Sequence, residues 1–106
     1  MAQRISPEQG RETLDSGEAL FIDVRDPGSH AMARIPGAMP LTQASLDDFL
    51  ATTSRDQALV VYCYHGHSSQ SACDFLTEKG FTRAVSLDGG FEHWRQAYPD
   101  RVEEES

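Results

Sequence analysis

Apolar residues fall into two kinds of pattern along this chain. Three short runs are continuous: Ala19 to Val24, Ala58 to Cys63 and Ala84 to Leu87. A strand with one wet face would alternate, so unbroken runs of this length predict strands covered on both sides. Elsewhere the apolar positions return every three or four residues, which is helical spacing. Ser6-Pro7-Glu8-Gln9 supplies an N-cap, a first-turn proline and a reciprocal capping partner, predicting a helix that Gly17 stops after Leu14. Leu46, Phe49 and Leu50 predict a second helix starting at Ser45. A third runs from about Ser69 through Ala72, Phe75 and Leu76 to Lys79, ended by Gly80. A fourth follows Gly89-Gly90 with Phe91, Trp94 and Tyr98, before Pro99 stops it. Gln3-Arg4-Ile5 and Met39-Pro40-Leu41 predict short edge strands, where a proline is tolerated.

Strands alternating with helices in so short a chain require crossover connections, hence an α/β fold with a mainly parallel sheet. At 106 residues, 39% of them hydrophobic, the chain has the size and composition of one globular domain. We expect residues 1–100 to form that domain and the acidic residues 101–106 to be a frayed, solvated tail. No apolar run approaches the ~20 residues of a membrane helix. Met1 to Pro7 lacks the apolar core and small-residue cleavage site of an export signal. Nine basic against 17 acidic residues, net −8, argues against a phosphate-backbone binder. Two cysteines, Cys63 and Cys73, make no disulfide framework. The expectation is a cytoplasmic protein that binds neither nucleic acid nor membrane.

Ligands of open parallel sheets bind beyond the carboxyl ends of the strands. There the run Ala58-Leu59-Val60-Val61-Tyr62 leads into Cys63, then Tyr64-His65-Gly66-His67-Ser68-Ser69, then a helix. Gly66 lets such a loop curl so that its amides turn inward, and the following helix points its free N–H groups at the same place. A free thiol is only about 3% thiolate at pH 7, and lowering its pKa by ~2 units requires about 2.7 kcal/mol. Converging amides and a helix end can supply that. At 17 acidic residues in 106, Gln57 to Cys73 would hold roughly two or three, and it holds none.

Other readings compete at each position. Cysteine is often a buried core residue, but a polar, glycine-containing loop followed by a helix favours a reactive Cys63. His65 and His67 could contact substrate or stand exposed as spectators. Ligands so closely spaced in a tight loop diverge, so no metal is expected. Cys73 lies ~15 Å of helix rise beyond the loop, too far to resolve a disulfide, and reads as core. Asp23 and Arg25 close the first strong strand, where they could brace neighbouring loops or add positive field near the thiol.

Four segments in order carry a family resemblance. They are Leu20 to Pro27 (LFIDVRDP), Ile35-Pro36-Gly37-Ala38, Cys63 to Ser69 (CYHGHSS) and Leu87 to Trp94 (LDGGFEHW). From Ile5 to about Tyr98 the chain resembles the single-domain rhodaneses, thiosulfate sulfurtransferases of the small GlpE type. The resemblance implies a five-stranded parallel sheet with helices on both faces. It implies that Cys63 takes the outer sulfur of thiosulfate as a persulfide, releases sulfite, and passes the sulfur on. The acceptor would be cyanide or a dithiol such as reduced thioredoxin, without a cofactor, on a route serving sulfur assimilation. Tyr64, His65, Gly66, His67, Ser68 and Ser69 would hold substrate and persulfide, with Asp23 and Arg25 as structural support. Ser29 and Ala33-Arg34 depart from the acidic residue and Gly-His common in the family. Ser68 stands where arginine is common, although the small type also has serine. Rhodanese-like modules that bind without chemistry are the alternative, and they often lack the cysteine. Cysteine phosphatases and arsenate reductases need an arginine after five intervening residues; here that position is Ser69, and Gln57 to Glu78 contains none.

Overall fold

The computed structural model of the protein describes residues 2–104. Five strands form one sheet: β1 (Gln3–Ile5), β2 (Ala19–Asp23), β4 (Met39–Pro40), β5 (Ala58–Tyr62) and β6 (Ala84–Leu87). Their order is β1-β6-β5-β2-β4, and every adjacent pair is parallel. β5 is central and continues in register with β2 from Ala19↔Ala58 to Asp23↔Tyr62. The two expected edge strands occupy the two edges.

Successive residues of a strand point to opposite faces. Phe21, Val60 and Tyr62 enter one core with Phe91 and Trp94 of α5 (Gly90–Ala97) and Leu14 of α1 (Pro7–Ser16). Ile22, Leu59 and Val61 enter a second core with Phe49 of α3 (Gln43–Thr52) and Cys73 and Leu76 of α4 (Ser68–Glu78). Continuous apolar strands are therefore the consequence of two covered faces. α1 begins at the expected capping box, with Ser6 accepting from the Gln9 amide at 3.1 Å and the Gln9 side chain answering the Ser6 amide at 3.0 Å.

The structure corrects the sequence expectations in four places. α3 starts at Gln43, not Ser45, because Thr42 is the N-cap and Ser45 is its reciprocal partner inside the helix. β5 ends at Tyr62, so Cys63 already belongs to the loop. A short helix, α2 (Pro27–Met32), follows β2, capped by Asp26 with Pro27 in its first turn. Finally, the acidic end is not frayed through residue 104: β7 (Glu103–Glu104) pairs antiparallel with β3 (Ala33–Arg34). The Glu103 carboxylate accepts from the Gly37 amide at 2.8 Å and faces the Arg34 guanidinium at 3.7 Å, which ties the end down. Met1, Glu105 and Ser106 lie outside the described residues.

Candidate active site

Cys63 sits just past β5 and is only 5% exposed. Its Sγ accepts from the amides of Gly66 at 3.2 Å and Ser69 at 3.3 Å, and lies 3.4 Å from Ser69 Oγ. Burial pushes the thiol pKa up. The Ser69 hydroxyl, then the amides of Ser69, Gly66 and His65, outweigh it and bring the pKa below the ordinary thiol value. α4 has no side-chain cap at His67. The sulfur stands where a capping oxygen would, receiving a first-turn amide that the helix itself cannot satisfy.

The loop turns its amides inward because its carbonyls are engaged on the far side. Phe91 N–H donates to the Cys63 carbonyl at 2.8 Å and Glu92 N–H to the Tyr64 carbonyl at 3.0 Å, so the start of α5 is plugged into the back of the loop. Only glycine permits that approach: a Cβ at Gly90 would lie 2.5 Å from both of those carbonyl oxygens. Gly66 has φ +91°, and a Cβ there would meet the Gly89 nitrogen at 2.9 Å. Gln70 Nε2 donates to the Gly66 carbonyl at 2.8 Å.

An open hollow of about 360 Å³ lies over the sulfur, lined by Val24, Arg25, Asp26, Cys63, Tyr64, His65, His67 and Ser68. The loop residues named from sequence thus divide. Gly66 and Ser69 hold the sulfur from beneath, whereas Tyr64, His65, His67 and Ser68 wall the hollow. Tyr64 is held to α2, its hydroxyl donating to Asp26 Oδ1 at 3.0 Å and meeting the Ser29 hydroxyl. Asp26 brings a carboxylate to a wall that local sequence showed free of acid. The Ser29 hydroxyl, its amide and the Tyr64 hydroxyl keep that carboxyl ionised.

Beneath the rim, Asp23 and Arg25 form a buried pair. Arg25 donates from Nη2 to Asp23 Oδ2 at 2.6 Å and from Nε to Oδ1 at 3.0 Å, and Nη2 also reaches the Ala33 carbonyl at 2.7 Å. Its guanidinium carbon lies 4.2 Å above the Phe91 ring. Tyr62, which sequence reading left in the core, joins them: its hydroxyl donates to Asp23 Oδ2 at 3.0 Å and accepts from the Ile35 amide at 3.2 Å. Burial, then the Asp23 charge, raise the Tyr62 pKa well above the ordinary range, so it stays a donor. Sequence reasoning also passed over Gly90 as a buttress, and the only signal for it was the Gly89-Gly90 pair before an apolar helix. Among the described residues no group of three or more His, Cys, Asp or Glu side chains converges as a metal cluster would.

Strand end, curled loop and helix start together define a class of α/β protein that seats a cysteine sulfur in a cradle of backbone amides. Within that class, the chain belongs to the rhodanese-like domain family, which matches residues 6–97. It is 50% identical over 101 residues to thiosulfate sulfurtransferase GlpE of Stutzerimonas stutzeri, covering 95% of this chain and 92% of that protein. To the protein of the same name from Pseudomonas aeruginosa PAO1 it is 48% identical over 97 residues, covering 92% and 87%. The solution structure of the rhodanese-like domain of the Anabaena sp. Alr3790 protein shares the fold, with TM-score 0.85 and 23% identity over 99% of this chain and 81% of that one. No helix among the described residues is long and apolar enough to cross a membrane.

Proposed function

We propose that this protein is a thiosulfate sulfurtransferase that carries sulfur as a persulfide on Cys63. The observation that carries the reading is the Cys63 sulfur itself, held by the Gly66 and Ser69 amides at the floor of an open hollow. The curated relatives bear that activity in their names over nearly the whole chain.

The Cys63 thiolate attacks the outer sulfur of thiosulfate. A new S–S bond forms to Cys63, the S–S bond of thiosulfate breaks, and sulfite leaves with its electron pair. The persulfide is anionic too, so the same fixed amides serve the start and the product of this step. A second nucleophile then takes the outer sulfur and releases the thiolate: cyanide gives thiocyanate, and a dithiol such as reduced thioredoxin gives sulfide and a disulfide. Tyr64, His65, His67 and Ser68 wall the space for the sulfonate oxygens, and Gly66 and Ser69 hold sulfur. Asp23 and Arg25 brace the rim, their charges spent on each other and on the Ala33 carbonyl. Sulfur transfer of this kind needs no cofactor and is consistent with a cytoplasmic protein.

Intact-protein mass before and after thiosulfate tests the reading. The expected result is a gain of one sulfur atom, absent in Cys63→Ser and removed by cyanide or by reduced thioredoxin. A wild-type protein that gains nothing, or a Cys63→Ser protein that still makes thiocyanate, overturns it.

A further inference from the structure

Ser86 has no part in the reaction as described, yet it is one of the few polar side chains sealed inside this sheet. It lies on β6 between Val85 and Leu87, in register with Val61, and is 1% exposed. A hydroxyl there has lost its water and packs less well than the valine such a strand would otherwise carry, so its partner matters. That partner is Ser69 Oγ at 2.7 Å. Ser69, fully buried, in turn lies 3.4 Å from Cys63 Sγ.

We propose that Ser86 is a positioning residue for sulfur transfer, orienting the Ser69 hydroxyl so that it donates to Cys63 and holds the sulfur as an anion. The proposal rests on the sulfur-carrier reading of Cys63. Each serine hydroxyl has one hydrogen to donate. With Cys63 as thiolate, Ser86 donates to Ser69 and Ser69 donates to the sulfur, so both hydrogens are placed. With Cys63 as thiol, three hydrogens share the same two contacts, so one of the three donors goes without a partner there. A hydrogen bond from Ser86 also polarises the Ser69 hydroxyl and turns its hydrogen toward the sulfur, so the serine pair favours the ionised form.

The charged and titratable groups near the sulfur lie on its open side. They are Arg25 and Asp26 after β2 and Tyr64, His65 and His67 in the loop; Glu92 of α5, held by Arg95, has its carboxyl pKa lowered further by the charges of His65 and Arg25. The closed side receives Ser69 from α4 and, through it, Ser86 from β6. A substitution at Ser86 therefore alters the sulfur without touching the walls of the hollow.

The test is the rate of Cys63 alkylation by iodoacetamide against pH, read by mass on sulfur-free protein. Ser86→Ala should move the midpoint up by about half a pH unit, giving roughly threefold slower alkylation below the midpoint and an equal rate on the alkaline plateau. Ser69→Ala should move it about one unit, and the double variant no further, because Ser86 acts through Ser69. An unmoved midpoint in Ser86→Ala overturns the proposal. So does an equal rate loss at all pH values, which marks a merely structural role, or a double variant whose shift is the sum of the two. Alkylation needs no thiosulfate, so a wild-type thiol that alkylates readily but gains no sulfur rejects the sulfurtransferase reading instead.

Discussion

Cys63 and Cys73 belong to the same loop-and-helix unit, and both are nearly closed to solvent, 5% and 0% exposed. Their thiols nevertheless move in opposite directions. Cys73 packs in the core with Ile22, Phe49, Leu59 and Leu76. Burial, then the neighbouring charge of Asp74, push its pKa up to about 12. Cys63 is also buried and still comes out below the ordinary value, because the Ser69 hydroxyl and the amides of Ser69, Gly66 and His65 are aimed at it. Burial by itself makes a thiol inert. Burial inside a ring of donors that cannot reorient favours the anion, because it meets dipoles already in place and no water has to be reorganised.

The most drastic way to break the contrast is to remove each sulfur in turn. Cys63→Ser should lose all sulfur loading from thiosulfate, whereas Cys73→Ala should load normally and lose about 1–2 kcal/mol of stability in urea titration. Loss of loading in Cys73→Ala would erase the distinction.

A second comparison concerns what lies under each sulfur. The loop of Cys63 is backed by a buried ion pair, and removing one member leaves the other charged and alone. Asp23→Ala should cost about 3–5 kcal/mol, read from the urea midpoint, with loading impaired as well. A loss near that of Cys73→Ala would mean that the pair is no more than filling.

Third, Gly66→Ala forces a side chain into left-handed backbone and against the Gly89 nitrogen at 2.9 Å. We expect a loss of about 2 kcal/mol and a Cys63 midpoint for alkylation that rises toward that of a free thiol. Cys73 should stay unreactive in the same protein. A mass assay that separates the two peptides reads both at once.

The mildest effect is on stability against pH. Cys63 is depressed in the folded state, so its contribution is full above the ordinary thiol pKa and lost as pH falls through its folded value. Cys73 is raised, so its contribution is full below the ordinary thiol pKa and lost as pH climbs toward about 12. Each slope is limited to about 1.4 kcal/mol per pH unit. Cys63→Ser should flatten the rise that lies below the ordinary thiol pKa, and Cys73→Ala the fall above it.

Ala19–Asp23, Ala58–Tyr62 and Ala84–Leu87 were readable as buried strands, to within a residue at the ends, because each had to serve two cores. The loop after Tyr62 was readable because a strand, a cysteine, a glycine and a helix start follow one another without interruption. What sequence hid was contact across distance. Asp26-Pro27 is a good helix start, but α2 is too short to show an apolar period, so periodicity passed over it. Glu103 looked solvated because its partners, Gly37 and Arg34, lie far away in the chain. Tyr62 and Ser86 sat inside strands, and nothing local distinguishes a core residue from one whose hydroxyl reaches Asp23 or Ser69. The segment Gln57 to Cys73 is free of acid as a sequence, yet folding brings Asp26 to the same hollow.

The docking of Gly90, Phe91 and Glu92 onto the carbonyls of Cys63 and Tyr64 also has a consequence in time. During synthesis the ribosome delivers the cysteine and its loop well before the stretch that turns the loop's amides toward the sulfur. Until β6 and α5 emerge and dock, the carbonyls of Cys63 and Tyr64 lack their partners and nothing holds the loop amides toward the sulfur. A chain that stopped before Gly90 would therefore lack the buttress that aims those amides.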